Sequence, residues 1–215
     1  MSLNSYIDHT NLNAYATKED IKKLCEEAKK YHFESVCVNP CYVELAKELL
    51  EDSQVKVCTV IGFPLGANSI AVKEYEAIVA QENGADEFDM VINIGALKDK
   101  DYDYIKEEIE TVRDTINGKI LKVIIETCYL TEEEIIKMTE ICNETFVNFI
   151  KTSTGLGTCG ATVEDVKLIN KHKNEVLEIK ASGGISDYET AIQMIEAGAT
   201  RIGTSNGINI MKEEK

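Results

Sequence analysis

EFDMVIN, residues 87–93, alternates strictly: Phe88, Met90 and Ile92 share one side of an extended chain, and Asp89, Val91 and Asn93 share the other. The same split occurs in SVCVN (35–39), where Val36 and Val38 oppose Ser35, Cys37 and Asn39. It recurs in LEIKAS (177–182), where Leu177, Ile179 and Ala181 oppose Glu178, Lys180 and Ser182. One side is apolar throughout and the other is mixed. Five more runs have strand composition, SYIDH (5–9), VKVCTVIG (55–62), LKVIIET (121–127), VNFIKT (147–152) and TRIGTS (200–205), which brings the total to eight.

Longer segments of helical period separate these runs. Apolar residues recur at Ile21, Leu24, Cys25 and Ala28, and again at Ile105, Ile109, Val112 and Ile116. Capping residues with an acid three positions on mark helix starts at Thr17 with Asp20, Thr131 with Glu134, Thr162 with Asp165 and Ser186 with Glu189. Asn39 before Pro40 marks another start, and Gly84, Gly118 and Gly198 stand where helices should stop. Strands alternating with helices imply a parallel sheet, because parallel neighbours need long crossovers. Eight such units predict an α/β fold closed as a (β/α)8 TIM barrel, a single domain over residues 1–215; a doubly wound open sheet is the competing reading. In a barrel the apolar parity meets the helices and the mixed parity points inward.

The bulk numbers narrow the function. A formal charge of −15 argues against a nucleic-acid partner, whose phosphates need Lys and Arg. No apolar stretch approaches the roughly 20 residues of a membrane span, and MSLNSYIDHT has no leader character, so the expectation is a cytoplasmic protein with no membrane partner. Seven scattered cysteines without a C-x2-C pair suggest reduced thiols, and His9, His32 and His172 offer no metal-ligand spacing. Neither metal nor cofactor is expected, and acidic outer helices suggest a homodimer.

Lys151 and Lys180 end neighbouring strands on the inward parity, at the end of the barrel where loops build active sites. Two ammonium groups there disfavour each other's charge, and burial adds to that. About 4 kcal/mol of such interaction leaves an amine largely neutral near pH 7, able to attack a carbonyl and form an imine. Asp89 shares the inward parity and suits proton transfer. Taken alone, each lysine would ordinarily reach out to solvent. Glycine-bearing turns follow the late strands at STGLG (153–157), SGGIS (182–186) and GTSNG (203–207), and a helix opening at Ser186 would offer N–H groups to a phosphate, although tight turns alone would explain the glycines. Cys37 is a thiol near the pocket, Cys41 beside it offers only half a metal site, and His9 beside Asp8 is either an acid–base group or packing.

The motifs IDHTNL, SVCVNP, KVCTVIGFPLG, EFDMVINIGAL, KVIIETCYLT, FIKTSTGLG, ATVEDV, IKASGGI and RIGTSNG, from residue 7 to about 207, together resemble the deoxyribose-phosphate aldolase family. The resemblance implies a metal-free class I aldolase of deoxyribonucleoside breakdown. Its substrate would be a small phosphorylated sugar, 2-deoxy-D-ribose 5-phosphate, interconverted with acetaldehyde and D-glyceraldehyde 3-phosphate. By motif, Lys151 resembles the Schiff-base lysine, Lys180 the second lysine, Asp89 the proton-relay aspartate and Asp8 the carboxylate paired with Lys180. The resemblance places Cys37, Thr154, Gly155, Gly183, Gly184, Gly203 and Ser205 around the substrate and its phosphate. The chain departs from it at Ser186, where many relatives have arginine, and at Asn206, where a second serine is common. GINIMKEEK (207–215) carries no tyrosine of the kind some relatives bear on a mobile tail. Another imine-forming phosphosugar aldolase or transaldolase, or a silent phosphosugar-binding barrel, are the alternatives.

Overall fold

The structure, a computed structural model, describes residues 3–214. The first half runs β1 (Ile7–Asn11), α1 (Lys18–Tyr31), β2 (Ser35–Val38), α2 (Val43–Leu49), β3 (Lys56–Ile61), α3 (Ile70–Glu82) and β4 (Glu87–Val91). It continues through α4 (Ile94–Lys98), α5 (Tyr102–Thr115), β5 (Ile120–Ile124), α6 (Glu132–Glu144) and β6 (Phe149–Lys151). The last part is α7 (Val163–His172), β7 (Glu178–Ser182), α8 (Tyr188–Ala197), β8 (Arg201–Thr204) and α9 (Gly207–Glu213). The eight strands are parallel to their neighbours and β8 returns to β1, so the sheet closes as a (β/α)8 TIM barrel.

Two parities make two environments. The outward residues Val36, Val38, Phe88, Met90, Ile179 and Ala181 pack with Ile21, Ala28, Ile105 and Ile109 of the helices in one continuous core. Inside, Cys37, Cys58 and Val60 form a small separate apolar cluster with Leu12 and Phe63 against it, and charged side chains fill much of the remaining axis. Among the described residues no helix is long and apolar enough to cross a membrane.

Local signals act where their hydrogen bonds can form. Thr17 and Thr131 make reciprocal capping boxes with Asp20 and Glu134, and Thr162 accepts the N–H of Asp165. Ser186 does not cap a helix: Asp187 accepts the N–H of Thr190 and α8 begins at Tyr188. An aspartate therefore occupies the helix start that the sequence offers to an anion, with its negative charge at the positive end of the helix. Asn39 precedes a 3-10 turn, Pro40–Tyr42, without a side-chain cap bond. The first strand starts at Ile7, because Leu3–Tyr6 form a 3-10 turn, and it runs on to Asn11.

Candidate active site

Asp89, from the middle of β4, is the hub of the barrel interior and has no exposed surface. Its Oδ2 accepts from Lys151 Nζ and from Lys180 Nζ, each at 2.7 Å. Its Oδ1 accepts from Lys122 Nζ at 2.8 Å and from the Cys58 thiol at 3.1 Å. Lys151 and Lys180 are direct partners in the β6–β7 register, so both stems leave the sheet at one height and reach the same oxygen.

Below this hub the charges continue to the base of the barrel. Lys180 Nζ lies 2.5 Å from Asp8 Oδ2, and Asp8 Oδ1 accepts from Ser35 at 2.7 Å and from Arg201 at 2.8 Å. Glu87 bonds Lys122 at 2.6 Å and Arg201 at 3.0 Å. Burial alone would raise the Asp8 carboxyl, but Lys180, Arg201 and Lys122 outweigh it and hold Asp8 well below the usual carboxylate range. Burial likewise opposes the charge of Asp89, and Lys122, Lys151 and Lys180 override it, pushing Asp89 far down.

The lysine electrostatics differ from the sequence expectation that two crowded ammonium groups depress each other. Burial does work against the Lys180 charge, yet Asp8 and Asp89 more than offset it and raise this amine above the ordinary lysine value. Lys122 is raised for the same reason, by Asp89, Cys58, Glu87 and Asp8 against burial. The interior carboxylates, not cation repulsion, dominate around the second lysine.

Lys151 also lines a cavity of about 630 Å³ at the C-terminal end of the strands, with Thr154, Gly155, Gly183, Gly184, Gly203 and Ser205 on its wall. That is the size of a small-ligand pocket. Gly183 and Gly184 both have left-handed backbones, with φ of 83° and 77°, which residues with side chains rarely adopt. A side chain on Gly183 would put its Cβ 3.0 Å from Gly160 Cα and 3.2 Å from Gly155 Cα, so the loops after β6 and β7 touch backbone to backbone. Among the described residues the N–H groups of Gly155, Gly183 and Gly184 donate to no protein acceptor. Gly203 serves differently: a Cβ there would lie 3.0 Å from Lys180 Cε, so its bareness makes room for that lysine. Thr154 is buried, and both its N–H and its hydroxyl donate to Glu126 instead of facing the cavity. A second groove, about 780 Å³, lies at the opposite end among Lys47, Lys56, Asp86 and Lys119, and the N–H and ammonium groups there pair with neighbouring acids and carbonyls.

Cys37 sits deep on β2, paired in register with Cys58, and its thiol is lowered by its hydrogen bond with Cys58 against the opposing effect of burial. Donor atoms of Cys37, Cys58 and Asp89 lie within 4.8 Å of one another, a spacing that a metal ion could use. Lys122 Nζ, however, bonds both Asp89 Oδ1 and, at 3.3 Å, Cys58 Sγ, so an ammonium already holds two of the three ligands and the residues do not fit a metal. Cys41 is exposed and away from this group. His9 faces outward, bonds Glu27 on α1 at 2.8 Å and packs at a tilt against Phe33, so it takes no part in the site. Sequence reasoning missed Lys122, Glu87, Arg201, Cys58 and Glu126; the first four share the inward parity that identified the others.

Comparison with known proteins bears on this geometry. Residues 3–213 match the family model described as DeoC/LacD family aldolase. The deoxyribose-phosphate aldolase of Carboxydothermus hydrogenoformans is 60% identical over 210 residues, covering 96% of this chain and 92% of that protein. The protein of the same name from Thermococcus gammatolerans is 60% identical over 216 residues, covering 99% and 96%. Among solved structures, an aldolase designated QR15 superposes with a TM-score of 0.95 at 46% identity, covering 98% of this chain and 95% of that one. The deoxyribose phosphate aldolase from Aeropyrum pernix, described as having a unique tetrameric structure, gives 0.92 at 31% identity, covering 98% and 89%.

Proposed function

The chain belongs to the DeoC/LacD aldolase family, and from that premise we propose that Lys151 forms an imine with 2-deoxy-D-ribose 5-phosphate in a reversible class I aldol cleavage. The products are acetaldehyde and D-glyceraldehyde 3-phosphate, in the breakdown of deoxyribonucleosides. One observation carries the reading: two lysines from adjacent strands meet one buried carboxylate oxygen at the end of a barrel where a cavity opens.

In this mechanism the neutral amine of Lys151 adds to the aldehyde carbon C1, and loss of water gives a protonated imine. The cation draws the C2–C3 bond electrons toward C2 while the C3 hydroxyl gives up its proton. D-glyceraldehyde 3-phosphate leaves, the enamine takes a proton at C2, and water hydrolyses the imine to release acetaldehyde. Asp89, an anion of weakened basicity, supplies the charge that the iminium faces. Lys180, held by Asp8, passes protons with water and Asp89 across the 2.7 Å contact. The N–H groups of Gly155, Gly183 and Gly184 are suited to the phosphate, with Ser205 at the rim; Cys37 lies deeper, buried beside Cys58.

We further infer a cytoplasmic enzyme that works without metal or cofactor as one catalytic domain, with no nucleic-acid or membrane partner. A homodimer is the assembly we propose, supported by the exposed apolar row Val72, Tyr75, Ile78 and Val79 on α3. Borohydride added with 2-deoxyribose 5-phosphate tests the chemistry: it should fix a covalent adduct that a Lys151→Ala variant does not form. Equal labelling of that variant would refute the assignment.

A further inference from the structure

Glu126 plays no part in the lysine chemistry, yet its geometry is demanding. It follows β5 with φ 54° and ψ 68°, left-handed for a residue that is not glycine, and it is 2% exposed. Such a backbone costs on the order of 1–3 kcal/mol and persists only where surroundings over-determine it. Here both flanking peptides are tied to the end of β6, Ile125 N donating to Lys151 O at 3.0 Å and Thr127 N to Thr152 O at 2.9 Å. The strained residue is thus anchored to the strand that carries the reactive lysine.

This twist aims the carboxylate at the loop after β6. Thr154 N donates to its two oxygens at 3.1 and 3.3 Å, and the Thr154 hydroxyl donates to Oε2 as well. Leu156 N in turn donates to Thr154 Oγ1 at 3.0 Å, and a Cβ on Gly157 would lie 3.2 Å from Glu126 Cδ. One carboxylate thereby fixes residues 154–157 from behind. It takes up the donors of Thr154, while Gly155, whose N–H has no protein acceptor, lines the cavity together with Gly183 and Gly184.

We propose that Glu126 is a positioning residue that sets specificity: by holding the 153–157 loop it aligns the Gly155 N–H with the substrate's phosphate and so makes the enzyme prefer phosphorylated deoxy sugars to free ones. The proposal rests on the function given above. A carboxylate suits the task because it accepts both Thr154 donors at once. A glutamine has one acceptor oxygen, so its N–H2 meets either the Thr154 N–H, donor against donor, or the hydroxyl, which must then give up its own donation.

The test compares steady-state kinetics of the wild type and Glu126→Gln on 2-deoxyribose 5-phosphate and on 2-deoxyribose, with borohydride trapping of acetaldehyde alongside. Expected are a rise of about tenfold in KM for the phosphorylated sugar, the size of one misplaced hydrogen bond, and a much smaller change in kcat/KM for the free sugar. Acetaldehyde trapping should persist in the variant. Thr154→Val, which deletes only the hydroxyl, should shift the same ratio in the same direction and serves if Glu126→Gln does not fold. An equal loss on both sugars, or an unchanged ratio in the variants, overturns the proposal. Failure of the wild type to trap acetaldehyde would instead refute the imine chemistry, which separates the two.

Discussion

Lys122 Nζ donates to Asp89 Oδ1 at 2.8 Å, on the carboxylate edge opposite the one shared by Lys151 and Lys180. Formal charges near the axis are then positive on Lys122, Lys151, Lys180 and Arg201 and negative on Asp8, Glu87 and Asp89, leaving one cation in surplus. Lys122 and Lys180 are each held protonated by two or more acids. Lys151 contacts only an oxygen that Lys180 also uses.

Replacing Lys122 by methionine removes the largest of the charges that hold Asp89 down, so the Asp89 carboxyl rises. The acid limb of the kcat/KM profile should move upward by at least about one pH value, with about tenfold lower activity near neutrality. A packing defect would lower the rate at all pH values alike, so an unshifted limb would sink the charge argument.

Gly203→Ala tests the space given to Lys180. The new Cβ would lie 2.9 Å from Ser182 Cβ and 3.0 Å from Lys180 Cε, and the buried lysine has little room to yield. Overpacking of this kind costs about 1–3 kcal/mol. A kcat reduced at least about tenfold is expected, since a small displacement in the reacting group is expensive. Thermal unfolding and kinetics on the same sample would check both, and wild-type kcat would contradict the assigned role of Lys180.

The axial network also sets a stability window. Asp8 and Asp89 are held below their ordinary value of 3.8, so their contribution is full above that pH and is lost as pH falls through and below it. Lys180 and Lys122 are held above 10.5, so theirs is full below 10.5 and is lost only as pH climbs past it. Urea midpoints should be nearly flat between about pH 5 and 9 and fall below about pH 4. Asp8→Asn should be less stable at neutrality and show a shallower acid limb; an unchanged limb would contradict the account.

The inward parity that makes Asp89 and Lys180 legible in the sequence also applies to Lys122, which alternates with Leu121 and Val123. A mid-strand lysine becomes an interior charge only once its partners are known, and Glu87 and Asp89 arrive from the neighbouring strand. The direction of the Lys180 shift was hidden for the same reason, since Asp8 lies far away in the chain but comes within 2.5 Å across the closed barrel. Glu126 left no signal, because no residue pattern encodes a left-handed glutamate held by peptides of another strand. At the start of α8, Ser186 and Asp187 are adjacent capping residues, and composition does not decide between them.

Lys73 and Glu108 form an ion pair at 2.5 Å with no exposed surface on either side chain, outside the barrel between α3 and α5. Lys73 also donates to Val91 O at 2.7 Å, and Glu108 accepts from Asn93 N at 2.9 Å, so the pair fastens the end of β4 just beyond Asp89. Burial lowers the Lys73 amine and raises the Glu108 carboxyl despite their mutual attraction, so desolvation outweighs the pairing. Either single change, Lys73→Met or Glu108→Leu, should cost about 3–5 kcal/mol, because it strands a buried charge. The double variant should cost clearly less than the sum of the two single losses, because no charge is stranded and only the Val91 and Asn93 backbone groups lose partners, about 1–3 kcal/mol each. Urea denaturation of the four proteins gives the cycle, and simple additivity of the two single losses would show that the pair carries no such penalty.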